Sequence, residues 1–170
     1  MFLLSFLRGG DAMTESKRVP VLSSLAGNLA VFVLLPLILN GVIFGLGWDR
    51  QSGAAKGQMA GLPPGWAVGA IWTVLFSGMG VARWLLSKRA SGWLVEGPSL
   101  LAFLCLLYPL YTAGLQNDSV GLVGNIVTAA VALPLAVLVW RWSRPATGCL
   151  AAVCAWLLYA AGATAYSLFH

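Results

Sequence analysis

Five long apolar runs separated by polar interruptions divide the chain. They extend from about Leu22 to Leu46, from the Pro63-Pro64 pair to about Leu86, from Leu94 to Leu115, from Val120 to Trp140 and from Ala146 to Phe169. Each is close to the roughly 20 residues that an α-helix needs to cross about 30 Å of hydrocarbon at 1.5 Å per residue. The pattern predicts an all-α fold, a polytopic membrane protein built as a bundle of five transmembrane helices. Short connections after the second run favour antiparallel neighbours.

The first run carries Pro36 near its middle, where neighbouring helices can absorb a kink. The stretch from Gly47 to Leu62 contains Trp48, Asp49, Arg50, Lys56 and four glycines. That stretch cannot stay in hydrocarbon, so it is read as the longest internal loop. The Pro63-Pro64 pair suits a first helical turn, where a missing N–H costs nothing. Residues 1–20 read as an N-terminal tail and residues 21–170 as a single five-helix domain. The apolar stretch Phe2 to Leu7 has neither a basic region before it nor a small-residue cleavage site after it, so no cleaved signal peptide is expected. Met13 opens a more ordinary polar start.

Composition sharpens this picture. Hydrophobic residues make up 59% of the 170 positions and charged residues 9%, against roughly 25% charged in soluble domains. The net charge of +5 is scattered over loops and helix ends, without a basic helix, so no nucleic-acid partner is expected. The lipid bilayer is the first partner. Arg8, Lys17, Arg18, Arg83, Lys88, Arg89, Arg141 and Arg144 all fall on one side of a five-span chain; Arg50 and Lys56 fall on the other. By the positive-inside rule the N-terminus is placed in the cytoplasm and the C-terminus outside it.

The ionisable residues exclude several functions. Asp11, Glu15, Asp49, Glu96 and Asp118 fall in the tail or in loops, and His170 is the terminal residue. Proton relays and ion-coupled pumps keep buried acids or histidines at mid-membrane, and none is placed there. No catalytic acid–base pair and no metal site is expected. Cys105, Cys149 and Cys154 lie in apolar stretches and are expected to be free, buried thiols. Arg83 lies one turn inside the second run and reads as a side chain snorkelling to the interface.

Eight tryptophans are present. Trp48, Trp84, Trp93, Trp140 and Trp142 sit where an interfacial aromatic belt belongs, but Trp72 and Trp156 lie well inside their runs. Trp72, Phe76, Met79 and Arg83 form one helical stripe of the second run, and Gly69, Thr73, Ser77 and Gly80 form a second, small stripe. The small stripe allows close approach of another helix, inside the bundle or in a homodimer. The aromatic stripe then faces lipid or an internal pocket, and periodicity alone favours packing. Trp156, Tyr159, Ala163 and Tyr166 repeat the arrangement on the fifth run. A cavity between these two helices would suit a flat, apolar, polarisable ligand. Asn28, Asn40, Thr112, Asn125, Thr128 and Thr164 read first as helix-to-helix hydrogen bonds, with Asn125 a candidate to face such a cavity.

The segment Leu62-Pro63-Pro64-Gly65-Trp66-Ala67-Val68-Gly69-Ala70-Ile71-Trp72-Thr73-Val74-Leu75-Phe76, followed by Gly78-Met79-Gly80-Val81-Ala82, resembles the second-helix signature of the translocator protein family. That family is also called tryptophan-rich sensory protein or peripheral benzodiazepine receptor. The resemblance implies five helices around a small apolar ligand site, covered by the first loop. It also implies porphyrins and other tetrapyrroles, such as protoporphyrin IX or haem-like molecules, as candidate ligands rather than covalent cofactors. Trp72 matches one indole of the family pocket and Trp156 looks like the second; Pro63 and Val68 match positions at its edge. In place of the family's third-helix Leu-Asn-x-x-Trp-Ser stands Leu104-Cys105-Leu106-Leu107-Tyr108-Pro109, and Ala152-Val153 replaces a Pro-Tyr on the fifth helix.

Two functions follow as expectations. The first is a ligand-binding membrane protein for sensing, regulation or transport, in which Trp72 and Trp156 stack on the ligand and Phe76 and Tyr159 shape the wall. The second is a structural or interaction subunit of a membrane complex without a small-molecule ligand. An enzyme that degrades porphyrin under light, as some family members do, ranks last.

Overall fold

The computed structural model describes residues 20–47, 63–115 and 117–169, with the side chains of residues 110–115 left aside. The N-terminal tail, the first loop with Trp48, Asp49, Arg50 and Lys56, the side chain of Thr112, and His170 lie outside the described residues.

Among these residues the chain forms five α-helices, preceded by the short 3-10 turn Pro20–Ser23. They are α1 Leu25–Gly45, α2 Gly65–Ser87, α3 Trp93–Leu115, α4 Asp118–Val139 and α5 Arg144–Phe169. Every end lies within three residues of the boundary expected from the apolar runs. Four of them, α1, α2, α4 and α5, are long and apolar enough to cross a membrane; α3, at 23 residues, matches α2 in length. The fold is thus all-α and polytopic.

Local chemistry fixes the ends. Ser24 caps α1 by accepting from the Gly27 N–H at 3.0 Å, and Asn117 caps α4 by accepting from Val120 N–H at 3.2 Å. The Ser143 hydroxyl accepts from Ala146 N–H at 3.3 Å, so α5 begins two residues before the expected start. These caps satisfy N–H groups that the first helical turn leaves without partners. Pro64 stands just outside α2, and its carbonyl receives the Ala67 and Val68 N–H groups. Gly92 closes the α2–α3 turn at φ +66°, a left-handed conformation open to glycine without steric cost.

The helices pack in the ring order α1–α2–α5–α4–α3, closed by α3 against α1, and α2 also touches α3. Neighbours in this ring run antiparallel except at its closure, where α3 and α1 run parallel, both starting at the Arg83 end of α2. On α1 and α2, Phe32 meets Gly80 and Asn40 approaches Gly69; on α3 and α4, Gly97 meets Leu135 and Tyr108 meets Asn125. Each step up one helix is a step down its partner.

Close approach depends on small residues, because lipid offers apolar helices no hydrophobic drive to associate. A Cβ placed on Gly80 would stand 3.2 Å from the Asn28 carbonyl oxygen and 3.2 Å from Phe32 Cβ. Thr73 and Ser77, on the same small stripe, turn their hydroxyls back to the Gly69 and Thr73 carbonyls at 2.9 and 2.8 Å. They present no unpaired donor to the helix beside them.

Candidate functional site

The packing of α2 against α5 brings together four of the residues selected from the sequence. Trp72 on α2 and Trp156 on α5 meet edge to face, with ring centroids 6.5 Å apart and planes at 86°. Phe76 extends the cluster along α2, 5.9 Å from Trp72, and Tyr159 extends it along α5, 5.5 Å from Trp156. The aromatic stripe of α2 turns inward: Phe76 and Met79 are buried, and Trp72 is half-buried against the core. Along α5 the cluster opens, from half-buried Trp156 to Tyr159, which is 47% exposed. The rings therefore keep accessible faces and a phenol within one group.

The other selected residues lie apart from the rings. Val68 is half-buried one turn before Trp72, and Pro63 is half-buried just ahead of α2. Asn125 is 1% exposed on α4, and its Nδ2 donates to Tyr108 Oη on α3 at 3.2 Å. Asn125 Oδ1 is buried without a hydrogen-bond partner. By register Asn125 and Tyr108 lie within roughly a turn of the Trp72–Trp156 level, but the polar contact they make is with each other. It joins α3 to α4, as the sequence suggests for such side chains.

At the opposite end of α2, the expected snorkelling arginine is overturned. The Arg83 side chain is only 9% exposed and points into the bundle. Its Nη2 lies 2.7 Å from Glu96 Oε1. Its Nε donates to Ser99 Oγ at 3.0 Å and to Glu96 Oε2 at 3.3 Å. Its Nη1 reaches the Asn28 Oδ1 at 3.2 Å and the Leu22 carbonyl at 3.3 Å. Asn28 is held in turn by donating to the Leu22 and Ser24 carbonyls, both at 2.8 Å. Glu96 is likewise not a loop residue, since it lies in the first turn of α3, where the helix dipole favours a carboxylate. Three helices are tied at one guanidinium, whose planar fork of donors suits this geometry.

Thr128 and Thr164 also depart from the helix-to-helix reading, since each hydroxyl donates to its own helix, at Gly124 and Ala160. The cysteines are free; Cys105 and Cys154 are buried and Cys149 is half-buried. Aromatic–cation pairs mark the same end of the bundle as Arg83: Lys88 Nζ stands 4.9 Å from the Trp84 ring, and the Arg144 guanidinium 5.4 Å from the Trp140 ring. Among the described residues, two grooves, of about 400 and 290 Å³, lie between α3 and α4. The larger runs from Trp93 and Glu96 to Leu138, and the smaller from Leu104 to Val120. Neither is lined by a residue of the aromatic cluster.

A ring of apolar helices with tryptophans and cations at their ends defines an integral, multi-pass membrane protein of the all-α class. The family model for the TspO/MBR family matches residues 29–169, and the chain belongs to that family. No curated protein and no solved structure matches it.

Proposed function

We propose that the protein binds a flat, apolar ligand of the tetrapyrrole class at the α2–α5 seam, for sensing, regulation or transport. The observation that carries this reading is the edge-to-face meeting of Trp72 and Trp156. An edge-to-face pair leaves ring faces uncovered, and such faces stack favourably on a polarisable ring system. Phe76 forms the inner wall, Tyr159 supplies a phenol at the open side, and Pro63 and Val68 line the approach along α2. Asn125 is the candidate for a polar contact from α4.

Titration of the purified protein in detergent with protoporphyrin IX, followed by tryptophan fluorescence, tests the proposal. Saturable quenching at micromolar ligand, weakened in Trp72→Phe and Trp156→Phe, is expected. Linear quenching equal to that of detergent alone rejects it. The second reading, a structural subunit without a ligand, draws support from the packing of both indoles against the core, and linear quenching would favour it. Light-dependent porphyrin breakdown is tested by loss of the Soret band under illumination; equal loss with wild type and Trp72→Phe would discard it.

The N-terminus is proposed to be cytoplasmic. Lys88, Arg89, Arg141 and Arg144 gather at the two turns of one end of the bundle, as the positive-inside rule asks of a cytoplasmic face. A fluorescent-protein fusion at the C-terminus that fluoresces in cells would reverse the assignment.

A further inference from the structure

The larger α3–α4 groove combines an apolar floor with a single carboxylate at its mouth. Gly97 lets α4 approach so closely that a Cβ there would come within 2.5 Å of Leu135 Cδ1. The cleft beside that contact holds about 400 Å³, within the range of small-ligand sites. It opens outward, because Leu100 and Leu138 on its walls are exposed. Its mouth, formed by Trp93 and Glu96, lies in the first turn of α3, at the end of the bundle where the basic turns gather.

Glu96 is 60% exposed although it pairs with Arg83. An ionised carboxylate offers about four lone-pair sites. Oε2 receives Arg83 Nε and Ser99 Oγ, and Oε1 receives Arg83 Nη2, which leaves Oε1 able to accept one more donor. The groove therefore matches an amphiphile with an apolar tail and a hydrogen-bond-donating cation at the depth of the headgroups. A primary ammonium meets that description, whereas a quaternary ammonium has no N–H to give. The exposed Lys88, Arg89 and Arg141 at the same end complement a phosphate beside it.

We infer that this groove is a binding site for a phosphatidylethanolamine molecule of the surrounding bilayer, its acyl chain between α3 and α4 and its ammonium on Glu96. The site is separate from the aromatic seam and stands or falls independently of the tetrapyrrole reading.

Native mass spectrometry of the full chain in detergent, titrated with dioleoyl phosphatidylethanolamine, phosphatidylcholine or phosphatidylglycerol, tests it. One retained phosphatidylethanolamine is expected, preferred about tenfold over phosphatidylcholine, the scale of one charge-assisted hydrogen bond. Leu100→Trp, which fills the groove from an exposed position, should abolish that adduct. Glu96→Gln, whose single amide oxygen still accepts from Arg83 Nε and Ser99 but gives up the bond from Arg83 Nη2, should level ethanolamine with choline; circular dichroism verifies that both variants keep their helices. Equal retention of the three lipids, a preference for phosphatidylglycerol, or an adduct that persists in Leu100→Trp would overturn the assignment. So would a dimer without lipid that Leu100→Trp dissociates, because the groove would then belong to a second copy of the chain.

Discussion

The Arg83 cluster and the Trp72–Trp156 seam both join α2 to its neighbours, but they do so by different physics. At Arg83 one buried cation is divided among Glu96 and Ser99 on α3, Asn28 on α1, and the Leu22 carbonyl. Every bond is directional, and removal of a partner leaves a charge in a medium that cannot solvate it. At the seam two indoles touch edge to face, a contact less directional than a charge-assisted hydrogen bond and one that strands no charge when it is lost. The lesson is a division of labour along one helix. The end of α2 near the basic turns is locked, and its other half is held by less directional contacts.

The sharpest way to break this contrast is Glu96→Ala. It strands the Arg83 guanidinium; a fully buried case costs about 3–5 kcal/mol, and the exposure of Glu96 reduces this to about 2 kcal/mol. Thermal unfolding in detergent should show a midpoint lower by roughly 4–8 °C. The double variant Arg83→Met with Glu96→Gln should recover most of that loss, to within about 1 kcal/mol of wild type, because no unpaired charge is left behind. A double variant as unstable as Glu96→Ala would show that the cluster matters for shape and not for charge.

Next in size is Gly80→Val, which drives a branched side chain against Asn28 and Phe32 and should cost about 1–3 kcal/mol. An unchanged midpoint would mean that α1 slides freely along α2. At the seam the expectation reverses. Trp72→Phe and Trp156→Phe should each move stability by less than about 1 kcal/mol, the scale of one aromatic pair. Ligand affinity should nevertheless fall about tenfold, or roughly 1.4 kcal/mol. A large loss of stability with unaltered quenching would make the seam structural.

The smallest effect is expected at Asn125→Leu. The substitution gives up the bond to Tyr108 but removes a buried acceptor that has no partner. The two changes oppose each other, and the midpoint should stay within about 1 kcal/mol of wild type. A loss above that would assign Asn125 Oδ1 a bond that a water supplies.

The five helices were legible because apolar runs of spanning length leave few alternatives in lipid. The start of α5 was legible as well, although it was read two residues late: Ser143 followed by Pro145 is an N-cap signal of the ordinary kind. Arg83 was misread for a different reason. Its position near a helix end is that of a snorkelling residue, and nothing in the spacing tells which neighbours surround it. Glu96 follows across a turn, but Asn28 lies 55 residues away, and only the ring order brings it alongside. The same order decides the candidate site. Helical spacing places Trp72 and Trp156 on stripes, but their meeting requires α2 and α5 to be adjacent, which no pattern within either helix encodes.

That adjacency also bears on biogenesis. In the ring, α5 stands between α2 and α4, although it follows both in the chain. If α1 to α4 take their places in the membrane before α5, α2 and α4 stand one helix apart until it arrives, with Trp72 and Gly78 on the open side. Arrival of α5 fills the gap by seating Cys149 against Gly78 and Trp156 against Trp72. A ribosome stalled before α5 would therefore hold an inserted protein with its Arg83 partners already in the membrane and half of its aromatic site missing.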